Sequence, residues 1–121
     1  MNASKTKRMR VRLEKERSRI EDEVDQIERE GHETLSEASG ENNYRDHMAD
    51  QGTATFAREL DMSLEENLRE ALSAVQEAIT RIDDGRYDVC EQCGKKITDE
   101  RLEAMPTATL CIACKSDEES R

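Results

Sequence analysis

Residues 87–115 read YDVCEQCGKKITDERLEAMPTATLCIACK, and all four cysteines of the chain fall inside them. They form two C-x-x-C pairs, Cys90 with Cys93 and Cys111 with Cys114, with seventeen residues between the pairs. Two residues between thiols let both sulfurs of a tight backbone knuckle face one ion, and two such knuckles close a tetrahedron. This is the spacing of a structural zinc site. Gly94, directly after the first pair, supplies the backbone freedom that a knuckle of this kind uses. The intervening residues suffice for a short ribbon or helical turn that brings the chain back. Val89, Ile97, Leu102, Leu110 and Ile112 can supply a miniature core, and Pro106 stiffens the return. Four thiolates around one Zn²⁺ leave a net charge of about −2, which Lys95, Lys96 and Lys115 partly offset. So small a core needs the metal, whose binding contributes roughly 10–16 kcal/mol in zinc-finger peptides at neutral pH.

Other cysteine chemistries fit less well. A thioredoxin-like redox pair sits at a strand–helix junction of a βαβ unit, and no such pattern surrounds either pair. A catalytic zinc keeps an open position and usually takes His or carboxylate ligands, whereas four cysteines saturate the ion. Iron–sulfur ligation also uses four cysteines, with nothing else in the chain to support it. One structural Zn²⁺ is the expectation.

Outside this segment the chain is poor in core-forming residues. Of 121 residues only 34% are hydrophobic and 2% aromatic, while 40% are charged, which excludes a broad globular core and leaves a long helix–helix seam or disorder. The periodicity selects the seam. Residues 4–33 contain no proline and place Leu13, Ile20, Val24 and Ile27 at the 7, 4, 3 steps of a heptad, with Arg10 and Arg17 on the same seam at its start. Residues 54–84 place Phe56, Leu60, Leu64, Leu68 and Leu72 in steps of four, and then Val75, Ile79 and Ile82 at 3/4 spacing. The change of period reads as a stutter. Gly85 is placed for a left-handed C-terminal cap. The fold class expected is therefore mainly α: an antiparallel two-helix coiled-coil hairpin over residues 1–84, a four-cysteine zinc finger over 85–115, and a short polar tail over 116–121. Between the helices lies a polar tip, 34–53, within SEASGENNYRDHMADQGTAT (36–55). It is longer than a helix hairpin needs, and surplus loop is either functional or merely loose.

The net charge of −10 is unevenly spread: residues 1–20 carry eight Lys/Arg against two Glu, and the rest of the chain carries −16. An acidic body repels nucleic acid, whose binding draws most of its affinity from phosphate neutralisation, so no direct sequence-specific nucleic-acid partner is expected. A protein with a basic face or channel suits it better. The basic N-terminal stretch reads as a solvated helix face, with nucleic-acid contact as the alternative. No apolar run is long enough for a signal peptide core or a membrane span. A cytoplasmic, reducing location and a monomer are the expectations, and no membrane partner is foreseen.

The segment C-x-x-C-G…I…R-L-E-A-x-P-T-A-x-L-C-I-x-C-K, residues 90–115, resembles the zinc-finger signature of the DksA/TraR family of bacterial transcription regulators. The resemblance extends over roughly residues 40–115. It implies a hairpin coiled coil with the finger at its base. It also implies insertion into the secondary channel of RNA polymerase, and acidic tip residues that alter promoter complexes without covalent chemistry, so no enzyme activity is expected. The family's tip motif D-x-x-D-x-A falls on His47, Asp50 and Gly52. Asp50 matches, and Asp46, one position before His47, is the reserve acid. Where some members bind an alarmone, this chain keeps Lys115 but has Ala74 and Met105. The alternative is the same fold acting as a non-catalytic interaction module for another, stress-related protein, its tip inert.

Overall fold

A computed structural model describes the backbone of residues 1–38 and 46–120, and the side chains of residues 1–30 and 55–120. It is mainly helical, with α1 at Ala3–Ala38, α2 at Asp46–Asp83, α3 at Asp99–Ala104 and α4 at Ile112–Glu119. Among the described residues the β structure amounts to one isolated antiparallel bridge, Val89 with Lys96.

Both long helices outrun the expected bounds. Helix α1 continues past residue 33 to Ala38, and α2 begins at Asp46, well before residue 54. Of the polar tip expected over 34–53, residues 34–38 and 46–53 are helical, and residues 39–45 lie outside the described residues. Gly31 and Gly52 lie within these helices, and a glycine costs a helix only about 1 kcal/mol relative to alanine. That does not stop helices whose neighbouring positions carry Glu, Leu, Ala, Met and Gln with no proline. The tail from residue 116 is likewise helical as far as Glu119.

The chain forms two compact units. The first comprises Met1–Ser18 and Leu72–Arg121, and so holds the first turns of α1, the last turns of α2 and the whole cysteine segment. Met9, Leu13, Val75, Ala78 and Ile79 are buried there, together with Tyr87, Ile97, Leu102 and Ala108. Arg10, on the expected seam, is half-buried and pairs with Glu14 at 3.1 Å and with Asp83. Met9 supplies apolar bulk beside it.

Helix α2 ends in a Schellman motif. The Gly85 N–H donates to the Ile82 carbonyl at 3.1 Å and the Arg86 N–H to the Arg81 carbonyl at 2.9 Å, with Gly85 at φ +75°, which only glycine adopts without steric cost. Helix α3 starts on Thr98, whose hydroxyl accepts from the Arg101 N–H at 3.3 Å, with Asp99 and Glu100 in its first turn, where the helix dipole favours acids.

The second unit is Arg19–Ala71, the later part of α1 and the earlier part of α2. Ile20 and Val24 are buried and Ile27 half-buried. Arg69 is bound by Glu65, one turn earlier on α2, at 2.9 Å and by Glu28 of α1. The steps-of-four stripe behaves differently from a seam: Phe56, Leu60 and Leu64 are 67%, 50% and 45% exposed, whereas Leu68 is half-buried. At 3.6 residues per turn each step of four advances about 40° around the helix, so Phe56 and Leu72 point about 160° apart. Such a spiral cannot keep all five residues on one partner.

Candidate metal centre

The first knuckle forms where the chain leaves the Val89–Lys96 bridge. The Cys90 N–H donates to the Lys95 carbonyl at 2.8 Å, and Ile97 N–H to the Asp88 carbonyl at 2.8 Å. Gly94 closes the turn with its N–H on the Cys90 carbonyl at 3.0 Å and φ +75°. The second pair is set by α4, which has Cys111 as its N-cap and Cys114 in its first turn. The Glu91 N–H donates to the Thr109 carbonyl at 2.9 Å, tying the first knuckle to the approach of the second.

These elements bring the four Sγ atoms within 4.8 Å of one another, all four as free thiols. Cys93 and Cys111 lie 3.7 Å apart, sulfur to sulfur. A tetrahedron with Zn–S bonds of about 2.3 Å has S···S edges of about 3.8 Å, so this pair already stands at the edge length of a zinc tetrahedron. Cys90 and Cys114 are buried while Cys93 is exposed.

The local backbone favours thiolate. Hydrogen bonding from the Cys93 N–H brings the Cys90 thiol down to about 6, and the Cys114 N–H likewise lowers Cys111. Cys114 goes the opposite way, its thiol hydrogen-bonded to Cys111 and withdrawn from water among the other sulfurs. The donor set, its spacing and its polarised N–H groups fit one tetrahedral Zn²⁺, which would lock the two knuckles together.

Of the expected miniature core, Ile97 and Leu102 are buried, Val89 and Leu110 half-buried, and Ile112 is 60% exposed. Tyr87 and Ala108 take the remaining core positions. The Tyr87 hydroxyl donates to the Pro106 carbonyl at 2.7 Å, so Pro106 fixes the return loop through its carbonyl as well as its ring.

Arginines that the sequence reading passed over hold the finger's carbonyls. Arg81, 2% exposed in the last turn of α2, donates to the carbonyls of Val89 at 2.6 Å, Ala108 at 3.2 Å and Arg86 at 3.4 Å. Its Nε lacks a hydrogen bond among the described residues but lies 3.7 Å from Glu91 Oε1. Arg101 Nε donates to the Leu110 carbonyl at 2.8 Å, and Arg12 to the Glu103 carbonyl at 2.7 Å. An arginine next to the capped end of a helix was the available signal for Arg81.

Asp46, His47 and Asp50 belong by backbone to the first turns of α2. Their side chains, and that of Gly52's neighbourhood, lie outside the described residues. Lys115 is half-buried and Met105 is 48% exposed.

The model of the prokaryotic dksA/traR C4-type zinc finger matches residues 85–120. The RNA polymerase-binding transcription factor DksA of Caulobacter vibrioides is 33% identical over 97 residues, covering 80% of this chain and 68% of that protein. The chain belongs to the DksA/TraR family. A further DksA/TraR relative, DksA of Escherichia coli, is 29% identical over all 121 residues, 76% of its length. General stress protein 16O of Bacillus subtilis is 40% identical over 89 residues, and the match spans only 55% of that protein. Among solved structures, DksA2 of Pseudomonas aeruginosa superposes with a TM-score of 0.85 at 25% identity, covering 100% of this chain and 88% of the other. The mainly helical fold and the zinc finger of this chain are therefore those of the DksA/TraR family. Among the described residues, no helix is long and apolar enough to cross a membrane.

Proposed function

We propose that the chain is a non-enzymatic, cytoplasmic regulator that binds RNA polymerase and adjusts transcription initiation through the α1–α2 end of its hairpin. The observation that carries this reading is the 33% identity, over four-fifths of the chain, to a protein named as an RNA polymerase-binding transcription factor. The charge distribution supports it: residues 19–71 carry sixteen Asp/Glu against five Lys/Arg, which suits a basic protein channel and disfavours a phosphate backbone. In this reading the zinc-locked finger fixes the start of α1 and the end of α2, and Asp50, with Asp46 in reserve, supplies the acid of the tip motif. His47 stands at a motif position where the family carries an acid, and is assigned no chemistry.

The test is direct binding of the zinc-loaded chain to core RNA polymerase, with competition by a known secondary-channel ligand. Competitive binding supports the reading, and absence of binding at low salt overturns it. A second reading, an interaction module for another stress-related protein, draws on the 40% identity to general stress protein 16O and on a tip motif kept at one position of three. It gains if polymerase binding fails while the fold and zinc content are intact.

A further inference from the structure

Two exposed helix faces carry complementary chemistry that the zinc site and the proposed tip leave unused. On α1, Lys7, Val11 and Lys15 follow one another in steps of four, with Arg8 beside them, all exposed. This face is turned away from the buried Met9 and Leu13. The side chains of Lys7, Arg8 and Lys15 make no hydrogen bond or ion pair among the described residues, and Val11 stands 45% exposed between them. Residues 1–18 hold seven Lys/Arg against two Glu.

On α2, the exposed stripe of Phe56, Leu60 and Leu64 is edged by Glu59 and Glu66, both exposed and without an ion pair among the described residues. The spacings match. Arg8 and Lys15 are seven residues apart, as are Glu59 and Glu66, so each pair spans two helical turns, about 10.5 Å. Val11 stands between Arg8 and Lys15 on one helix, and Leu60 and Leu64 stand between Glu59 and Glu66 on the other. This is the edge-charge and centre-apolar pattern by which helices choose a partner.

We propose that the cationic face of α1 docks on the acid-edged apolar stripe of α2 in a second copy of this chain. Duplex nucleic acid would satisfy Lys7, Arg8 and Lys15, but it would leave Val11 and the whole α2 stripe without a partner. It would also meet repulsion from a segment, residues 19–71, of net charge −11. A second copy offers each face a partner of opposite charge with apolar surface beside it. Exposed ion pairs around a thin apolar contact give a weak complex, with a dissociation constant on the order of 0.1 mM. The monomer expected from the sequence is then the dilute or high-salt form, and pairing covers a stripe that the monomer presents to solvent.

Sedimentation of the zinc-loaded chain tests this. At an ionic strength of about 0.02 M the average mass should climb above 13.9 kDa with concentration and return to that value at about 0.5 M salt. The triple variant Lys7→Glu/Arg8→Glu/Lys15→Glu and the double variant Glu59→Lys/Glu66→Lys should each raise the dissociation constant about tenfold or more. Mixing the two variants should restore association, because each then meets an opposite charge on the other. All changes are at exposed positions, and circular dichroism checks that the helices persist. A wild-type chain that stays monomeric at low salt overturns the proposal. So does association that ignores salt or survives the triple variant, or a mixture that fails to associate. Tight binding of a short DNA duplex, lost in the triple variant while the wild type stays monomeric, would assign the α1 face to nucleic acid instead.

Discussion

Arg81 Nη1 donates to the carbonyl of Ala108 at 3.2 Å, twenty-seven residues along the chain, while its Nη2 holds the Val89 carbonyl at 2.6 Å. One guanidinium at the end of α2 thus binds both flanks of the metal segment, the approach to Cys90 and the approach to Cys111. The planar fork of arginine suits divergent carbonyls that an ammonium cannot reach together.

Replacing Arg81 should therefore cost more than a surface change. Hydrogen bonds to charged groups each contribute about 1.5–3 kcal/mol, and the carbonyls left behind are buried or partly so. Arg81→Ala is expected to destabilise the first unit by about 3 kcal/mol or more, and Arg81→Lys to recover only part of it. Denaturant unfolding followed by circular dichroism measures this. A loss within about 0.5 kcal/mol, the range of neutral surface substitutions, would show that Arg81 does not hold the finger.

Metal removal should unfold the finger while sparing most of the helix content. Cys111→Ser removes one sulfur from a quartet whose members lie within 4.8 Å of one another, and a strong chelator takes the ion from all four. The small core around Ile97 and Leu102 cannot hold its shape without the ion. Zinc content should fall from one per chain to none, and amide resonances of residues 85–120 should collapse toward unfolded positions. Ellipticity should fall only in part, because α3 and α4 hold 6 and 8 residues against 36 and 38 in α1 and α2. Unchanged zinc content in Cys111→Ser would contradict the site.

Tyr87 should make the first unit sensitive to high pH. Burial pushes its phenol up to about 12, against the opposing pull of Arg12 and Arg81. The folded chain keeps the phenolic proton where the unfolded chain, with a value of about 10, has lost it. This stabilisation is complete below about pH 10 and is lost as pH rises through about 12. In a Tyr44→Phe chain, where Tyr87 is the remaining tyrosine, ultraviolet absorbance should show ionisation near 12 when folded and near 10 in denaturant. Folded-state ionisation near 10 would mean that the phenol is not enclosed.

The parts of this molecule legible in the sequence are those whose cause is local. Cys90, Cys93, Cys111 and Cys114 announce a site because coordination chemistry fixes their spacing, and Leu13, Ile20 and Val24 mark a seam because burial repeats with the helix. The helices run past the expected bounds at residues 33 and 54, because the local penalty of about 1 kcal/mol at a glycine such as Gly31 or Gly52 is outweighed by the helix formers around it. Arg81 was missed for the opposite reason. Its partners are backbone carbonyls up to twenty-seven residues away, and carbonyls leave no trace in a sequence. The Phe56–Leu60–Leu64 stripe was visible as a pattern but read as seam, because a period of four resembles 3.6 over two steps and diverges from it over four.

The last prediction separates binding from action. If the α1–α2 end of the hairpin acts near the catalytic centre of polymerase through a carboxylate, Asp50→Asn removes the charge at nearly constant size. If docking on that reading relies mainly on the rest of the hairpin, affinity for core polymerase should stay within about twofold while the effect on initiation falls by about tenfold, a difference of about 1.4 kcal/mol. Asp46→Asn should produce a smaller loss, and His47→Ala none, because His47 is assigned no chemistry. A reconstituted transcription assay run beside a binding titration reads both quantities on one preparation. An Asp50→Asn chain that binds and retains its full effect would remove Asp50 from the mechanism. Loss of binding in step with activity would instead make Asp50 part of the docking surface. A silent double variant, Asp46→Asn with Asp50→Asn, would turn attention from the tip to the interaction-module reading.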